Sequence, residues 1–127
     1  MTTDKPTIEM LYSDSGPFDE AEVVKTLQPH ITIQKSTNEI FLKGTKLSTD
    51  QKILAYGLAK KLLKFKNMIE TETITAQEFH KKTGIKKGTI DPTFKMLREK
   101  GLLVGKAAYE IPTSKIHEVI KTLDSSK

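Results

Sequence analysis

The apolar positions of this chain fall into two periods, and the points where one gives way to the other predict its elements. Val23, Val24 and Leu27 share one face of a short helix that opens at Asp19; Glu22 completes a capping box there, and Phe18 can staple onto Val23. Pro29 stops this helix. The period then drops to two. Ile31 and Ile33 alternate with Thr32 and Gln34, Ser36-Thr37-Asn38 supplies a turn, Ile40-Phe41-Leu42 returns, and Gly44 and Thr45 end the hairpin. Ser48, with Gln51 at the third position, caps a long helix that reaches about Lys66. On a wheel of about 100° per residue, its Leu54, Ala55, Tyr56, Leu58, Ala59, Leu62, Leu63 and Phe65 fill an arc broad enough for the central helix of a small core. Gly57, Lys60, Lys61 and Lys64 fall opposite and read as a solvated face.

Glu70 to Thr75 reads as a short extended link with Ile74 turned inward. Thr75 and Glu78 form a further capping box for a helix whose Phe79 faces the core, and Thr83-Gly84 ends it, since glycine suits the left-handed conformation of a helix terminus. A third helix is expected from Gly88 or Thr89 to Lys100, with Ile90, Phe94 and Leu97 at i, i+4 and i+7. That start puts Asp91 and Pro92 in its first turn. There proline's missing N–H is not needed, and a carboxylate stabilises the helix dipole by about 0.3–1 kcal/mol. Gly101 closes this helix. Leu102-Leu103-Val104, a turn at Gly105-Lys106, and Ala108 to Ile111 predict a second hairpin with Tyr109 as a core or edge-strand aromatic. After Pro112, Thr113 or Ser114 caps a last helix with Ile116, Val119, Ile120 and Leu123 in one stripe, fraying from Asp124 to Lys127. Met1 to Pro17 has no sustained period. The expected partition is therefore a flexible arm over 1–17, a helix and hairpin over 18–46 packed on the core, a core unit over 47–112, and a C-terminal helix and tail over 113–127.

Composition narrows the class. At 127 residues, with 36% hydrophobic and 29% charged side chains, the chain can bury one continuous core and is not of disordered type. No apolar run approaches the roughly 20 residues needed to cross a bilayer, and the polar, acidic Met1–Pro17 stretch is unlike a signal peptide. Cysteine is absent, which removes disulfides and thiolate metal sites, so the expected location is cytoplasmic. His30, His80 and His117 stand far from any metal-ligand spacing, and the last two read as surface residues. No glycine-rich phosphate loop, nucleophile–His arrangement or isolated carboxylate pair occurs, so no enzyme, metal or cofactor is expected. The net charge of +5 is unevenly spread: residues 1–44 carry −3 and residues 45–127 carry +8. A polyanion is the partner such a second part would attract.

The order helix, link, helix, turn, helix, hairpin, with Ile74-Thr75-Ala76-Gln77-Glu78-Phe79, Thr83-Gly84-Ile85, Gly88-Thr89-Ile90 and Phe94-Lys95-Met96-Leu97-Arg98-Glu99-Lys100-Gly101-Leu102-Leu103-Val104, resembles the winged helix-turn-helix superfamily of bacterial and archaeal regulators. The resemblance implies an α+β, mainly α fold: a three-helix core with a short β-hairpin wing, an N-terminal helix and hairpin extension, and a C-terminal helix. It also implies that the helix from Gly88 to Lys100 enters the major groove of double-stranded DNA while the hairpin tip meets the backbone. Lys82, Lys86, Lys87, Thr89, Lys95, Arg98 and Lys106 are then the DNA-binding residues of a transcriptional regulator or chromosome-associated factor. Asp91 and Pro92 depart from the pattern, since the family commonly carries Ser, Arg, Asn or Gln at these exposed positions. Proline donates nothing, and a carboxylate can read only a cytosine amino group, so contacts should be dominated by phosphate. The competing reading is a protein-interaction module that uses Asp91-Pro92 and the apolar hairpin. A homodimer through the C-terminal or N-terminal helix fits either. The two are separated by whether the lysines of residues 60 to 106 merge into one surface continuous with the third helix: a coherent patch favours DNA binding, and scattered lysines favour the protein module.

Overall fold

The computed structural model describes residues 19–43 and 46–124; the arm over Met1–Pro17, the Phe18 staple, Gly44-Thr45 and the tail after Asp124 lie outside them. The chain runs α1 (Glu20–Leu27), β1 (Ile31–Ile33), β2 (Ile40–Leu42), α2 (Thr49–Phe65), β3 (Ile74–Thr75), α3 (Ala76–Thr83), α4 (Lys87–Glu99), β4 (Val104–Gly105), β5 (Ala108–Glu110), a turn of 3₁₀ helix (Thr113–Lys115) and α5 (Ile116–Asp124). The architecture is α+β and mainly helical, with one antiparallel sheet β1-β2 and a second ordered β3-β5-β4.

Local chemistry accounts for most of the boundaries. The Asp19 carboxylate accepts from the N–H groups of Ala21 and Glu22, and Ser48 with Gln51 closes a capping box on α2. The Thr75 hydroxyl accepts from the Glu78 N–H at 3.1 Å, whereas the Glu78 carboxylate turns away to Tyr56 and Lys60 and leaves that box half made. Gly84 ends α3 at φ 79°, in the left-handed region. β1 and β2 pair Ile31 with Leu42 and Ile33 with Ile40.

The core surrounds α2. Its Ile53, Leu54 and Leu58 are buried among Phe79 of α3, Ile90, Phe94 and Leu97 of α4, and Ile116, Val119, Ile120 and Leu123 of α5. The α5 stripe thus lies inside the chain, against α1 and α2, and each such side chain contributes about 1.5–3 kcal/mol of burial. Phe94 stacks on Tyr109 with ring centroids 4.5 Å apart, which fastens α4 to β5.

Four local expectations need correction. Ile74 is buried as expected, but its segment is a strand, pairing Ile74 with Tyr109 and Thr75 with Ala108. The resulting sheet covers the face of α2 that reads as solvated. A Cβ on Gly57 would lie 3.2 Å from both Ile111 Cδ1 and Ile74 Cδ1, so the missing side chain lets the sheet approach. Lys61 on this face is only 8% exposed; its ammonium pairs with Glu72 at 2.9 Å and Glu110 at 3.8 Å. α4 begins at Lys87, so Pro92 is its sixth residue rather than part of its first turn, and that turn holds no acidic side chain. The Gly88 carbonyl therefore lacks its i+4 donor. The second hairpin turns one residue later than expected, with Gly105 in β4 and Lys106-Ala107 at the tip.

The Lys61 site yields a test. Lys61→Ala leaves Glu72 and Glu110 facing each other without a cation. It should lower stability by about 2 kcal/mol, below the range for a fully buried pair because Glu110 is partly exposed. Lys61→Met, which keeps the apolar stem, should cost less than the alanine change; urea denaturation measures both, and equal losses would assign the effect to the lost charge alone.

Candidate nucleic-acid interface

Two groups of described basic side chains bear on the candidate site, and others, such as Lys35, Lys52, Lys81 and Lys121, belong to neither. The first is used by the fold. Lys60 pairs with Glu78 at 2.5 Å and donates to the Thr73 carbonyl at 2.8 Å. Lys61 is held as above, Lys64 donates to the Glu70 carbonyl at 3.0 Å, and Lys66 pairs with Glu20 at 3.3 Å. These lysines clip the end of α2 to the segment that leads into β3 and to α1. Lys60 and Lys61 depart from the solvated face their spacing suggests, whereas Lys64 is exposed as expected.

Lys82 belongs to this population too. Its ammonium lies 2.6 Å from Glu39 and 4.6 Å from the centre of the Phe41 ring, and its side chain is 16% exposed. The N-terminal hairpin thereby takes the last cation of α3 as a charge partner and covers it with an aromatic face. Nothing in the local sequence signals this, because the two partners stand 43 residues apart. The same hairpin, α2 and α3 bound a groove of about 920 Å³ lined by Phe41, Tyr56, Ile69 and Lys81 among others. Its charged groups are largely matched to one another. Burial, followed by the hydrogen bond to Glu78 and that carboxylate's charge, pushes the Tyr56 phenol well above its usual range and keeps it a donor, 2.7 Å from Glu78 Oε2.

The second population sits on α4 and the turn after it. Lys86 is the N-cap of α4, Lys87 its first residue, and Thr89 lies within its first turn; all three are exposed. At about 100° per residue, Lys87, Asp91, Lys95 and Arg98 fall within a sector of about 80° and span about 16 Å of helix. This is the flank from which Arg98 Nη1 donates to the Gly105 carbonyl at 3.3 Å, so the stripe continues onto the hairpin turn, where Lys106 is exposed. Ile90, Phe94 and Leu97 occupy the adjoining buried face. Among the described residues no carboxylate lies within 4 Å of the charged groups of Lys86, Lys87, Lys95, Arg98 or Lys106. Backbone N–H groups at the start of α4 add partial positive charge beside Lys86 and Lys87.

The lysines of residues 60 to 106 thus do not form one surface, the outcome expected of the protein-interaction module rather than of the DNA-binding unit. Of the seven expected contact residues, Lys87, Lys95, Arg98 and Lys106 come together along α4 and the hairpin turn and Lys86 precedes them at the helix start, whereas Thr89 lies about 120° round the helix from that stripe and Lys82 is held by the hairpin. Arg98 ties the helix to the turn, a role its sequence position alone does not indicate. His80 is half-buried with Nδ1 2.7 Å from the Ile85 carbonyl, across the bend between α3 and α4, whereas His117 is exposed. Among the described residues no group of three His, Asp or Glu side chains is placed to hold a metal ion, and no helix is long and apolar enough to cross a membrane. Comparison of the chain with protein-family models, curated proteins and solved structures finds no match.

Proposed function

We propose that residues 47–112 form a winged helix-turn-helix unit, and that this protein binds double-stranded DNA in the cytoplasm as a transcriptional regulator or chromosome-associated factor, without catalysis. The element order α2, β3, α3, α4, β4, β5 and the sheet order β3-β5-β4 support the architecture. One observation carries the function: among the described cations without carboxylate partners, Lys87, Lys95 and Arg98 share one exposed flank of α4, Lys86 stands at its start and Lys106 at the adjoining turn, whereas others such as Lys35, Lys52, Lys81 and Lys121 lie on other elements. Five charges on or beside that line, Lys87, Lys95, Arg98 and Lys106 with Lys86 at the helix start, suit a set of phosphates, and the helix they edge is of the kind that enters a major groove. An interaction module for protein partners is the second reading. Val104, 46% exposed on the edge strand β4 beside this stripe, favours it.

Titration of a random-sequence duplex at two salt concentrations separates these readings. Five phosphate contacts give a slope of log K against log salt near −4.5, or about 500-fold weaker binding between roughly 50 and 200 mM salt. Lys86→Ala combined with Lys87→Ala should weaken binding at least tenfold and reduce the slope by about 1.8 while leaving the fold intact. Lys82→Ala should leave the slope unchanged, because Glu39 already holds that ammonium. Binding that ignores salt, or a double variant that binds as tightly as the parent, overturns the DNA reading.

A further inference from the structure

We infer that Asp91 makes the DNA interface selective for G·C pairs by accepting a hydrogen bond from the cytosine N4 amino group in the major groove. The inference rests on the DNA-binding reading and concerns the one carboxylate within the cationic stripe; Glu99, the next acidic residue on α4, lies outside that sector.

The fold makes little use of Asp91. It is exposed, it forms no hydrogen bond or ion pair among the described residues, and it stands beyond the first turn of α4, so the dipole role its sequence position suggests does not hold. Yet it occupies the middle of the stripe, four residues and about 6 Å of helix from both Lys87 and Lys95. A carboxylate within the screening length of about 8 Å from several phosphates is repelled by each of them. Where the flanking cations engage the two backbones, the position between them faces the groove floor, and there a carboxylate needs a donor.

The major groove presents two donor groups, the N4 amino of cytosine and the N6 amino of adenine. Beside adenine N6 lies the N7 lone pair, which repels the second carboxylate oxygen; beside cytosine N4 lies only C5–H. The carboxylate therefore fits cytosine. A carboxylate between phosphate-bound cations thus reads the cytosine donor of a G·C pair. Pro92, exposed and without an N–H, adds no competing donor.

The test uses the full chain and three duplexes of roughly 16 base pairs: alternating G-C, alternating A-T, and alternating I-C, in which inosine preserves the major-groove pattern of guanine but lacks its minor-groove amino group. The parent protein should bind the G-C and I-C duplexes about 5- to 10-fold more tightly than A-T, the discrimination expected of a single hydrogen-bonded contact. Asp91→Ala should bind all three more tightly and bring the ratio to near one. Asp91→Asn should move the preference to A-T, since a carboxamide pairs with adenine N6 and N7. The residue is exposed, so thermal melting should confirm that both variants remain folded. A ratio unchanged in both variants, or a G-C preference that I-C does not share, overturns the assignment while leaving DNA binding standing. Absence of salt-sensitive binding to all three duplexes overturns the DNA reading and this inference with it.

Discussion

Phe94→Ala lowers the free energy of unfolding by about 3–5 kcal/mol, the expected range for emptying a fully buried aromatic site. The Phe94 side chain has no exposed surface and is stacked on Tyr109 at an interplanar angle of 21°, so the change removes both its core burial and the ring contact that fastens α4 to β5. Domains of this size are stable by about 5–15 kcal/mol, so the variant should keep only part of that margin and lose about 10–20 °C in Tm. Urea denaturation should give a lower midpoint with an unchanged slope. Phe94→Leu, which refills most of the volume, should cost markedly less. A loss below about 1 kcal/mol for the alanine variant would mean that α4 is held by something other than this ring. The consequence reaches the interface, because the buried face of α4 fixes which flank carries Lys87, Lys95 and Arg98 outward.

Much of this arrangement is legible in the residues, for local reasons. Asp19, Ser48 and Thr75 mark helix starts because each offers an oxygen to N–H groups two or three residues away, and Gly84 marks an end because its backbone adopts φ 79°. The α5 stripe is legible because its 3.6-residue period is strong. What escaped depends on distant partners. β3 has two residues, Ile74 and Thr75, too short for any period, and its pairing with β5 is what buries the Lys61 face of α2. A lysine row on a helix reads as solvated until acidic partners such as Glu72 and Glu110 are brought against it from other elements. At the candidate site, the α4 and turn cations are legible because helical spacing alone aligns them. Lys82 is not, because the hairpin residues that occupy it lie far back in the chain.

The sorting of cations also explains why net charge alone is a poor guide here. Seventeen Lys and Arg residues follow position 44, but the row on α2 that spacing makes most conspicuous is consumed by the fold. The unpaired charge aligned on one helix flank is the smaller set on α4 and the turn, and Asp91 tempers it. Salt dependence should therefore report about five contacts rather than the full basic excess.

Gly105→Ala should be the most damaging glycine substitution in the second half of the chain, at about 2–4 kcal/mol, and comparison with Gly84→Ala isolates the reason. Both glycines have positive φ, 79° at Gly84 and 127° at Gly105. A Cβ at Gly84 meets nothing within 4 Å, so that variant loses only the left-handed preference, about 1 kcal/mol. A Cβ at Gly105 falls on the Ala108 carbonyl oxygen, inside van der Waals contact, and lies 3.0 Å from the Ala108 carbonyl carbon and 3.2 Å from Tyr109 Cα. All three atoms are backbone of the paired strand, so no rotamer relieves the clash and the β4–β5 pairing must open. The loss is bounded by what that pairing holds, because Leu103, Tyr109 and Ile111 on either side remain anchored in the core. The Gly105 carbonyl also accepts from Arg98, so opening the turn releases Arg98 and displaces Lys106 together. Duplex affinity in Gly105→Ala should then fall with a salt slope reduced by up to about 1.8, the share of those two cations, while Gly84→Ala keeps the parent slope. Equal stability losses in the two variants would mean that the clash is relieved elsewhere and that the turn is not held by its pairing.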